Sequence, residues 1–154
     1  MNAAGEIIRD AAILIEEGRI VHVGPRAALG RVDGASTMDV SGHAVLPGLV
    51  NAHTHLCMIF GRTAGVERTL LEWLDVEMPI MRAMDEEAIY HAEMLGLVEN
   101  LKNGNTTVVE NIFSPRGGPV DFESQAFAAM RDAGIRGVVA RGYEGRNFAP
   151  DFIE

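Results

Sequence analysis

The chain has 154 residues, with 22 acidic and 13 basic side chains and a formal net charge of −9. This balance excludes a nucleic-acid or anionic-membrane surface, because phosphate binding draws on clustered Lys and Arg, and no apolar run approaches the roughly 18 residues of a membrane span. A single cysteine, Cys57, excludes an internal disulfide framework and indicates a reducing, cytoplasmic location.

The first predicted elements form a β-hairpin. Residues 11–24 contain two short strand-like runs joined at Glu17-Gly18, a tight-turn signal. The expected buried face consists of branched aliphatic residues: Ile13, Ile15, Ile20 and the neighbouring valines. His22 alternates with those valines along the second strand, so its side chain is expected to point away from them into solvent.

A second turn is predicted within residues 38–46. Ser41-Gly42 lies between two extended pieces, and His43 follows the turn and is expected to be exposed. The ten residues before the hairpin contain no basic segment followed by an apolar core, so they do not form a secretory signal. Both ends of the chain suggest that it is part of a longer protein.

The next stretch, residues 46–56, is an apolar run that follows Pro47-Gly48 and ends in two histidines, His53 and His55. Alternation along a strand places both imidazoles on one face, roughly 6.5–7 Å apart along the backbone. A zinc ion accepts imidazole nitrogen at about 2.0–2.1 Å, and catalytic sites keep a position open for water. The two histidines are therefore candidate metal ligands, although they do not complete a site.

This stretch resembles the first barrel strand of the metal-dependent amidohydrolase superfamily, in which Pro-Gly, a short apolar run and His-x-His occur in that order. Asn51 lies two residues before His53. An asparagine at this position resembles the branch of the superfamily that deaminates or dechlorinates nitrogen heterocycles. That branch includes cytosine, guanine and S-adenosylhomocysteine deaminases and triazine hydrolases. The resemblance covers essentially the whole chain and implies one divalent metal ion, with zinc favoured and iron as the alternative.

The fold class implied by the resemblance is α/β. Residues 46–154 would supply the first three strands and intervening helices of a TIM-type (β/α)8 barrel, preceded by part of a small β-sandwich in residues 1–45. A complete barrel needs about 250 residues, so the chain is expected to be the amino-terminal third of an enzyme. The resemblance also leaves a homo-oligomeric parent open.

A helix is predicted over residues 69–77, with Leu70, Trp73 and Leu74 on one face and Pro79 ending or bending it. The resemblance implies that Trp73 overhangs the substrate pocket. In adenosine-type relatives a glutamate follows the loop proline by two residues, but Met81 stands here. A free base, a triazine or another small ring therefore remains open as the substrate.

The strongest predicted helix lies in residues 85–104, with Asp85 as its N-cap and Gly104 at its stop. Its expected packing stripe follows helical spacing and consists of these residues: Ala88, Ala92, Leu95, Val98 and either Leu101 or Lys102. A strand over 105–113 follows, which implies a parallel crossover. Glu110 or Asn111, near the end of that strand, would face the pocket or make a polar contact at its edge.

The last predicted elements are a loop over residues 114–120, a helix over 122–133 and a third strand over 135–143. Asp121 precedes the helix as a cap and Gly134 follows it as a stop. Phe127 is expected on the packing face of this helix, together with Phe122.

The chemistry implied is hydrolysis at an sp² carbon of a nitrogen heterocycle by metal-activated water, with a small-molecule substrate. No catalytic acid or base maps within residues 1–154, so the chain alone is expected to bind metal weakly and to turn over nothing. Two alternatives stay open: a cyclic amidase like dihydroorotase or hydantoinase, and a non-catalytic remnant or scaffold. A lysine at the end of a fourth strand would favour the first, and missing downstream histidines the second.

Overall fold

The structure is a computed structural model that describes residues 5–112 and 120–142. It contains two compact units, Met1–Pro47 and Gly48–Glu154. The predicted loop over 114–120 falls almost entirely outside the described residues, as do the last residues of the predicted strands over 105–113 and 135–143. Within the described ranges, no helix has the length and apolar character needed to cross a membrane.

The first unit contains the predicted hairpin. Strand β1, Ala11–Glu16, pairs antiparallel with β2, Arg19–Pro25. The two residues between them, Glu17 and Gly18, both have positive φ angles, 48° and 74°. This backbone matches the right-handed twist of the flanking strands, which is why a residue pair ending in glycine favours the turn. A four-residue helix, α1 (Arg26–Leu29), follows.

The prediction of which face of this hairpin is buried is wrong. The branched aliphatic residues at the expected buried positions are exposed: Ile13, Ile15, Ile20, Val21 and Val23. The less exposed face carries Leu14, which pairs with His22. His22 is half-buried, and its Nε2 atom is buried with no hydrogen-bond partner in residues 5–112 and 120–142, so it is not the solvated residue expected from alternation. The glycine at position 24 leaves room for the His22 ring, because a Cβ atom at that position would lie 3.0 Å from His22 Nε2.

The second predicted turn is confirmed. The Asp39 carboxylate accepts hydrogen bonds from the backbone N–H and the hydroxyl of Ser41, at 2.9 and 2.6 Å. His43 follows the turn and is exposed, as expected. The extended pieces on either side of the turn do not pair as strands with any other described residue.

The second unit is an α/β fold with a parallel sheet, as predicted. Its strands are β3 (Leu49–Thr54), β4 (Asn105–Ile112) and β5 (Arg136–Arg141), hydrogen-bonded in that order and all parallel. Its helices are a 3-10 turn (Leu56–Gly61), α2 (Leu70–Arg82), α3 (Glu86–Lys102) and α4 (Phe122–Ala133). Helices between successive strands make right-handed parallel crossovers the expected topology.

Local sequence signals set the helix ends. The Asp85 side chain accepts from Ala88 N at 2.8 Å, and the Asp121 side chain caps α4 in the same way. Gly134 ends α4 with a φ of 69°. Pro79, predicted to end or bend α2, does not end it, because the helix continues through Pro79 to Arg82. Proline removes one N–H donor, but its carbonyl still accepts from Ala83 N at 3.2 Å.

The packing face of α3 also differs from the prediction. Leu95, Val98 and Leu101 are exposed, and the buried face is: Ile89, Ala92, Glu93, Gly96, Leu97 and Asn100. The reason is close packing at Gly96, where an added Cβ would lie 2.6 Å from Leu56 Cδ2. The face of α3 that contains Gly96 therefore packs against the rest of the unit, although that face also carries the polar residues Glu93 and Asn100.

Helices α2 and α4 depart from their predicted faces at single positions. Leu70, expected to pack, is exposed, and Glu77, seven residues later, is buried beneath Gly61. Phe127 of α4 is exposed, whereas Phe122 packs in the core as predicted.

Candidate metal centre

The structure brings His53 and His55 together. His53 lies in β3 and His55 directly follows the end of the strand. The pairing of β3 with β4 is irregular between Asn51 and Thr54, so simple alternation is not kept. The rings nevertheless converge, with centroids 4.8 Å apart, planes at 88° and the two Nε2 atoms 3.2 Å apart.

This spacing fits a single divalent ion. Two nitrogen ligands at about 2.0–2.1 Å from a tetrahedral ion lie about 3.3 Å from each other. The 3.2 Å between the His53 and His55 Nε2 atoms is close to that value. Two imidazoles leave the other coordination positions of such an ion for further ligands and water.

Asn111, the next-to-last residue of β4, lies behind both imidazoles. Its backbone carbonyl is 2.7 Å from His55 Nδ1, and its side-chain Nδ2 is 3.0 Å from His53 Nδ1. Because a carbonyl oxygen only accepts, the proton of neutral His55 lies on Nδ1 and its Nε2 presents a lone pair. A metal-binding histidine needs this tautomer, and backbone carbonyls commonly fix it.

Glu110 fixes the turn that follows His55. Both of its carboxylate oxygens lie 2.9 Å from the backbone nitrogen of Leu56, and its side chain is fully buried. Burial raises the pKa of Glu110 to about 7, while hydrogen bonds from the N–H groups of Leu56 and Cys57 and from the Cys57 thiol act in the opposite direction. Cys57 is fully buried.

A second buried carboxyl group, Glu93 of α3, lies beside this turn. The ligating atoms of Cys57, Glu93 and Glu110 lie within 4.8 Å of one another. Within the described part of the chain, neither Glu93 oxygen has a hydrogen-bond partner. Burial, and secondarily the negative charge of Glu110, raise the pKa of Glu93 to about 9. Glu93 is therefore protonated at neutral pH. Two adjacent carboxylates would otherwise repel each other in an environment of low polarity.

The beginning of β3 is held by a group of asparagines. Asn51 donates to the Asn100 side-chain oxygen at 3.0 Å, and Asn105 donates to the same oxygen at 2.9 Å. Asn100 in turn donates to the carbonyl of Gly96 at 2.8 Å. Residues 51–56, which include both histidines, are thus hydrogen-bonded to Asn100 of α3 at one end and to Glu110 of β4 at the other.

Trp73, the predicted substrate-binding residue, has apolar surroundings. It is half-buried in α2, packs against the core cluster that contains Met78 and Met81, and its Cγ atom lies 3.0 Å from where a Cβ at Gly65 would be. The structure therefore assembles the histidine pair with Asn111, and Trp73 makes its contacts with Gly65 and the core.

Comparison with known proteins identifies the family. Residues 44–149, which include the histidine pair and Asn111, match the model of the amidohydrolase family. The chain belongs to the amidohydrolase family. Its relatives in this family include a 5-methylthioadenosine/S-adenosylhomocysteine deaminase from Symbiobacterium thermophilum, 36% identical over 94% of this chain and 32% of the relative. A hydroxydechloroatrazine ethylaminohydrolase from Pseudomonas sp. is 29% identical over 92% of this chain and 32% of the relative.

Solved amidohydrolase structures agree with the fold. The atrazine chlorohydrolase from Arthrobacter aurescens complexed with zinc has a TM-score of 0.75 and 28% identity, over 98% of this chain and 36% of that enzyme. A triazine hydrolase from the same organism has a TM-score of 0.79 and 26% identity, over 99% and 36% of the two chains. The chain thus spans about a third of the length of the amidohydrolases that it matches.

Proposed function

We propose that this chain is the metal-binding amino-terminal part of a hydrolase that cleaves a C–N or C–Cl bond of a nitrogen heterocycle, with deamination favoured. The observation that carries the proposal is the 3.2 Å separation of the His53 and His55 Nε2 atoms, with His55 held in the ligand tautomer by Asn111. Relatives named as a deaminase, an ethylaminohydrolase and a chlorohydrolase support this reaction class.

His53 and His55 would hold one divalent ion, and zinc suits two imidazole ligands at this spacing. The ion supplies Lewis acidity that makes water a competent nucleophile at neutral pH. The chain itself contributes the orientation of the two rings. Asn111 holds the outer nitrogen of each ring, and Glu110 fixes the backbone of Leu56 directly after His55. Rigid support of this kind keeps ligand geometry within the narrow range that metal catalysis needs.

Architecturally, residues 46–154 would supply the first three strands and their helices of a (β/α)8 barrel. Residues 1–45 would be part of a small β-sandwich. The exposed aliphatic row on β1 and β2 supports this assignment, because a sandwich buries such a row against a second sheet. The histidines lie at the carboxyl end of β3, the end at which barrel enzymes build their active sites.

The substrate would be a small planar heterocycle. Trp73 would form one wall of its pocket, since an indole face stacks well against a planar ring. Met81 is buried in α2, where adenosine-type relatives are expected to carry a glutamate, and this favours a free base or a triazine over a nucleoside.

Zinc binding tests the ligand assignment. His53→Ala and His55→Ala are each expected to weaken zinc affinity about ten-fold or more, because each removes one of two converging donors. His43→Ala is the matched control, since this imidazole is exposed and lies in the other unit. Affinity is measured by competition with a chromogenic chelator. Equal affinity in the three variants would show that the pair is not the site.

Product analysis tests the reaction class. Because the chain alone is expected to turn over nothing, the zinc-loaded full-length enzyme that contains this chain is incubated with 5′-methylthioadenosine, an ethylamino-triazine, a chloro-triazine and a cyclic amide. Release of ammonia, ethylamine or chloride supports the proposal. Ring opening of the amide alone would replace it with the cyclic amidase alternative.

A further inference from the structure

The connection between α3 and β4 contains a reactive pair of residues, Asn103 and Gly104. No other asparagine in the sequence is followed by glycine. The backbone nitrogen of the next residue can attack an asparagine side chain, and a glycine there has no side chain to hinder the attack. Both residues are exposed, and beyond the chain neighbours no atom of the described residues lies within 4 Å of where a Gly104 Cβ would be. The surroundings therefore leave room for the ring that this attack forms.

The reaction is a spontaneous deamidation that consumes only water. The Gly104 backbone nitrogen loses its proton and forms a bond to Asn103 Cγ, and the Cγ–Nδ2 bond breaks. The leaving nitrogen takes up a proton and departs as ammonia. Water then adds to one of the two carbonyl carbons of the resulting succinimide and breaks its bond to the ring nitrogen, which regains a proton. The product is aspartate or isoaspartate at position 103.

The folded chain opposes this reaction in three ways. The Gly104 N–H donates to the Leu101 carbonyl at 3.0 Å, so the attacking nitrogen is held against the last turn of α3. The leaving group is held as well, because Asn103 Nδ2 donates to the Glu99 carbonyl at 2.8 Å. The ψ angle of Asn103 is 9°, at which the Gly104 nitrogen eclipses the Asn103 backbone nitrogen, whereas ring closure needs it to eclipse Cβ. The end of α3 therefore has to open before the ring can form.

We propose that Asn103 is a deamidation site whose rate is set by opening of the C-terminal end of α3. Helix ends fray, and local opening of this kind needs far less free energy than unfolding of the whole chain. The rate in the folded protein is then the intrinsic rate multiplied by the fraction of molecules in which this helix end is open. The reaction requires neither a metal ion nor a substrate, so it is independent of the proposed function.

The modification would reach the strand that carries the histidines. The Gly104 carbonyl accepts from Leu49 N at 2.9 Å, at the start of β3. Asn105 donates to the Asn100 side chain, which also accepts from Asn51. Isoaspartate adds one carbon to the backbone between α3 and β4, and both products place a negative charge at the C-terminal end of a helix, where the macrodipole disfavours it. The modified protein is therefore expected to be less stable than the original one.

Peptide mapping by mass spectrometry tests the site. The conversion of each asparagine is followed at mildly alkaline pH, with the protein either folded or unfolded in guanidinium chloride. In the unfolded chain Asn103 is expected to convert faster than every other asparagine. In the folded protein its conversion is expected to be at least about ten-fold slower, because the end of α3 is closed in most molecules. Asn103→Gln is the control, since glutamine keeps an amide group but forms the corresponding ring far more slowly.

A matched pair of glycine substitutions tests the control by α3. Lys102→Gly weakens the last turn of the helix and is expected to raise the folded-state rate roughly five-fold. Glu87→Gly makes the same kind of change at an exposed position of the first turn, and is expected to leave that rate nearly unchanged because it loosens the opposite end. Each rate is divided by the rate of the same variant in guanidinium chloride, which removes any effect of the substitution on the intrinsic reaction.

Three results would overturn the proposal. Faster conversion of another asparagine in the unfolded chain would show that Asn103 is not the preferred site. Equal rates at Asn103 in the folded and unfolded protein would show that the folded chain does not restrain the reaction. An equal increase in Lys102→Gly and Glu87→Gly would show that opening of the C-terminal end of α3 is not the step that sets the rate.

Discussion

Glu93→Gln is expected to stabilise the protein by about 3 kcal/mol at pH 7 and by much less near pH 5. The Glu93 carboxyl group is fully buried, it has no hydrogen-bond partner among the described residues, and burial raises its pKa to about 9. Each pH unit above the ordinary pKa of 4.5 costs the folded chain about 1.4 kcal/mol while Glu93 stays protonated, so the roughly 2.5 units up to pH 7 give this magnitude. Glutamine keeps the shape of the side chain and has no proton to lose.

The sign follows from the direction of the pKa change. The folded-state pKa of Glu93 is raised above the ordinary value of 4.5 for a glutamate. Its contribution to stability is therefore fully present below about pH 4.5 and is lost as the pH rises toward about 9. The difference between the variant and the wild-type chain should widen over that range.

Urea denaturation at pH 5, 7 and 9 measures this difference. Glu86→Gln is the control, because it makes the same substitution at an exposed position of the same helix. A gap between Glu93→Gln and wild type that stays constant with pH would contradict the assignment of Glu93 as a protonated buried acid.

Gly48→Ala is expected to destabilise the protein by about 3 kcal/mol. A Cβ atom at position 48 would overlap the Thr106 side chain and would lie 2.7 Å from its Cβ atom. The Thr106 Cβ is attached to the backbone of β4, which is hydrogen-bonded to strands on both sides. Neither group can move away without disturbing the sheet, so the overpacking cost lies at the upper end of its usual range.

The double variant with Thr106→Ala tests this cause. Removing the Thr106 hydroxyl and methyl groups relieves part of the overlap, so the cost of Gly48→Ala should fall by at least about 1 kcal/mol in that background. The free energies of unfolding come from urea titrations of the four proteins in the cycle. Additive effects would show that the close contact with Thr106 is not the source of the loss.

Helix ends and strand order could be predicted from the sequence because their signals are local. Asp121 and Gly134 bracket α4 in the sequence and at the observed bounds, Phe122–Ala133. The alternation of short β-branched runs with helical segments predicted the parallel order of β3, β4 and β5. These features depend on backbone conformation and chain connectivity, which neighbouring residues largely determine.

The buried faces could not be predicted as well, because hydrophobicity was the only guide to them. Glu93 and Asn100 lie on the buried side of α3, whereas Leu95 and Val98 are exposed. The close approach of Gly96 to Leu56 sets this orientation, and a contact between residues 40 positions apart leaves no periodic signal. The hairpin shows the same effect, since alternation gives two faces without saying which one is inward.

Of the candidate site, only the pair of histidines at its centre could be predicted from the sequence. The pattern of His53 and His55 indicated two converging donors, and their observed spacing agrees with that expectation. The sequence indicates Asn111 only as a residue near the pocket, because its contacts with the histidines depend on the register between β3 and β4. Glu93 carried no signal, since an acidic residue in a helix is ordinarily exposed.

The hydrogen bonds at the two ends of β3 have a consequence for divergence among relatives. Asn100 and Glu110 hold the segment that carries the two imidazoles, through Asn51 on one side and Leu56 on the other. The positions of the two imidazoles should therefore depend little on substitutions further along the chain. Relatives named for removing an amino group, an ethylamine and a chloride all align with this stretch. We therefore expect this segment to determine how the cation is bound, and residues outside the segment to determine which leaving group is released.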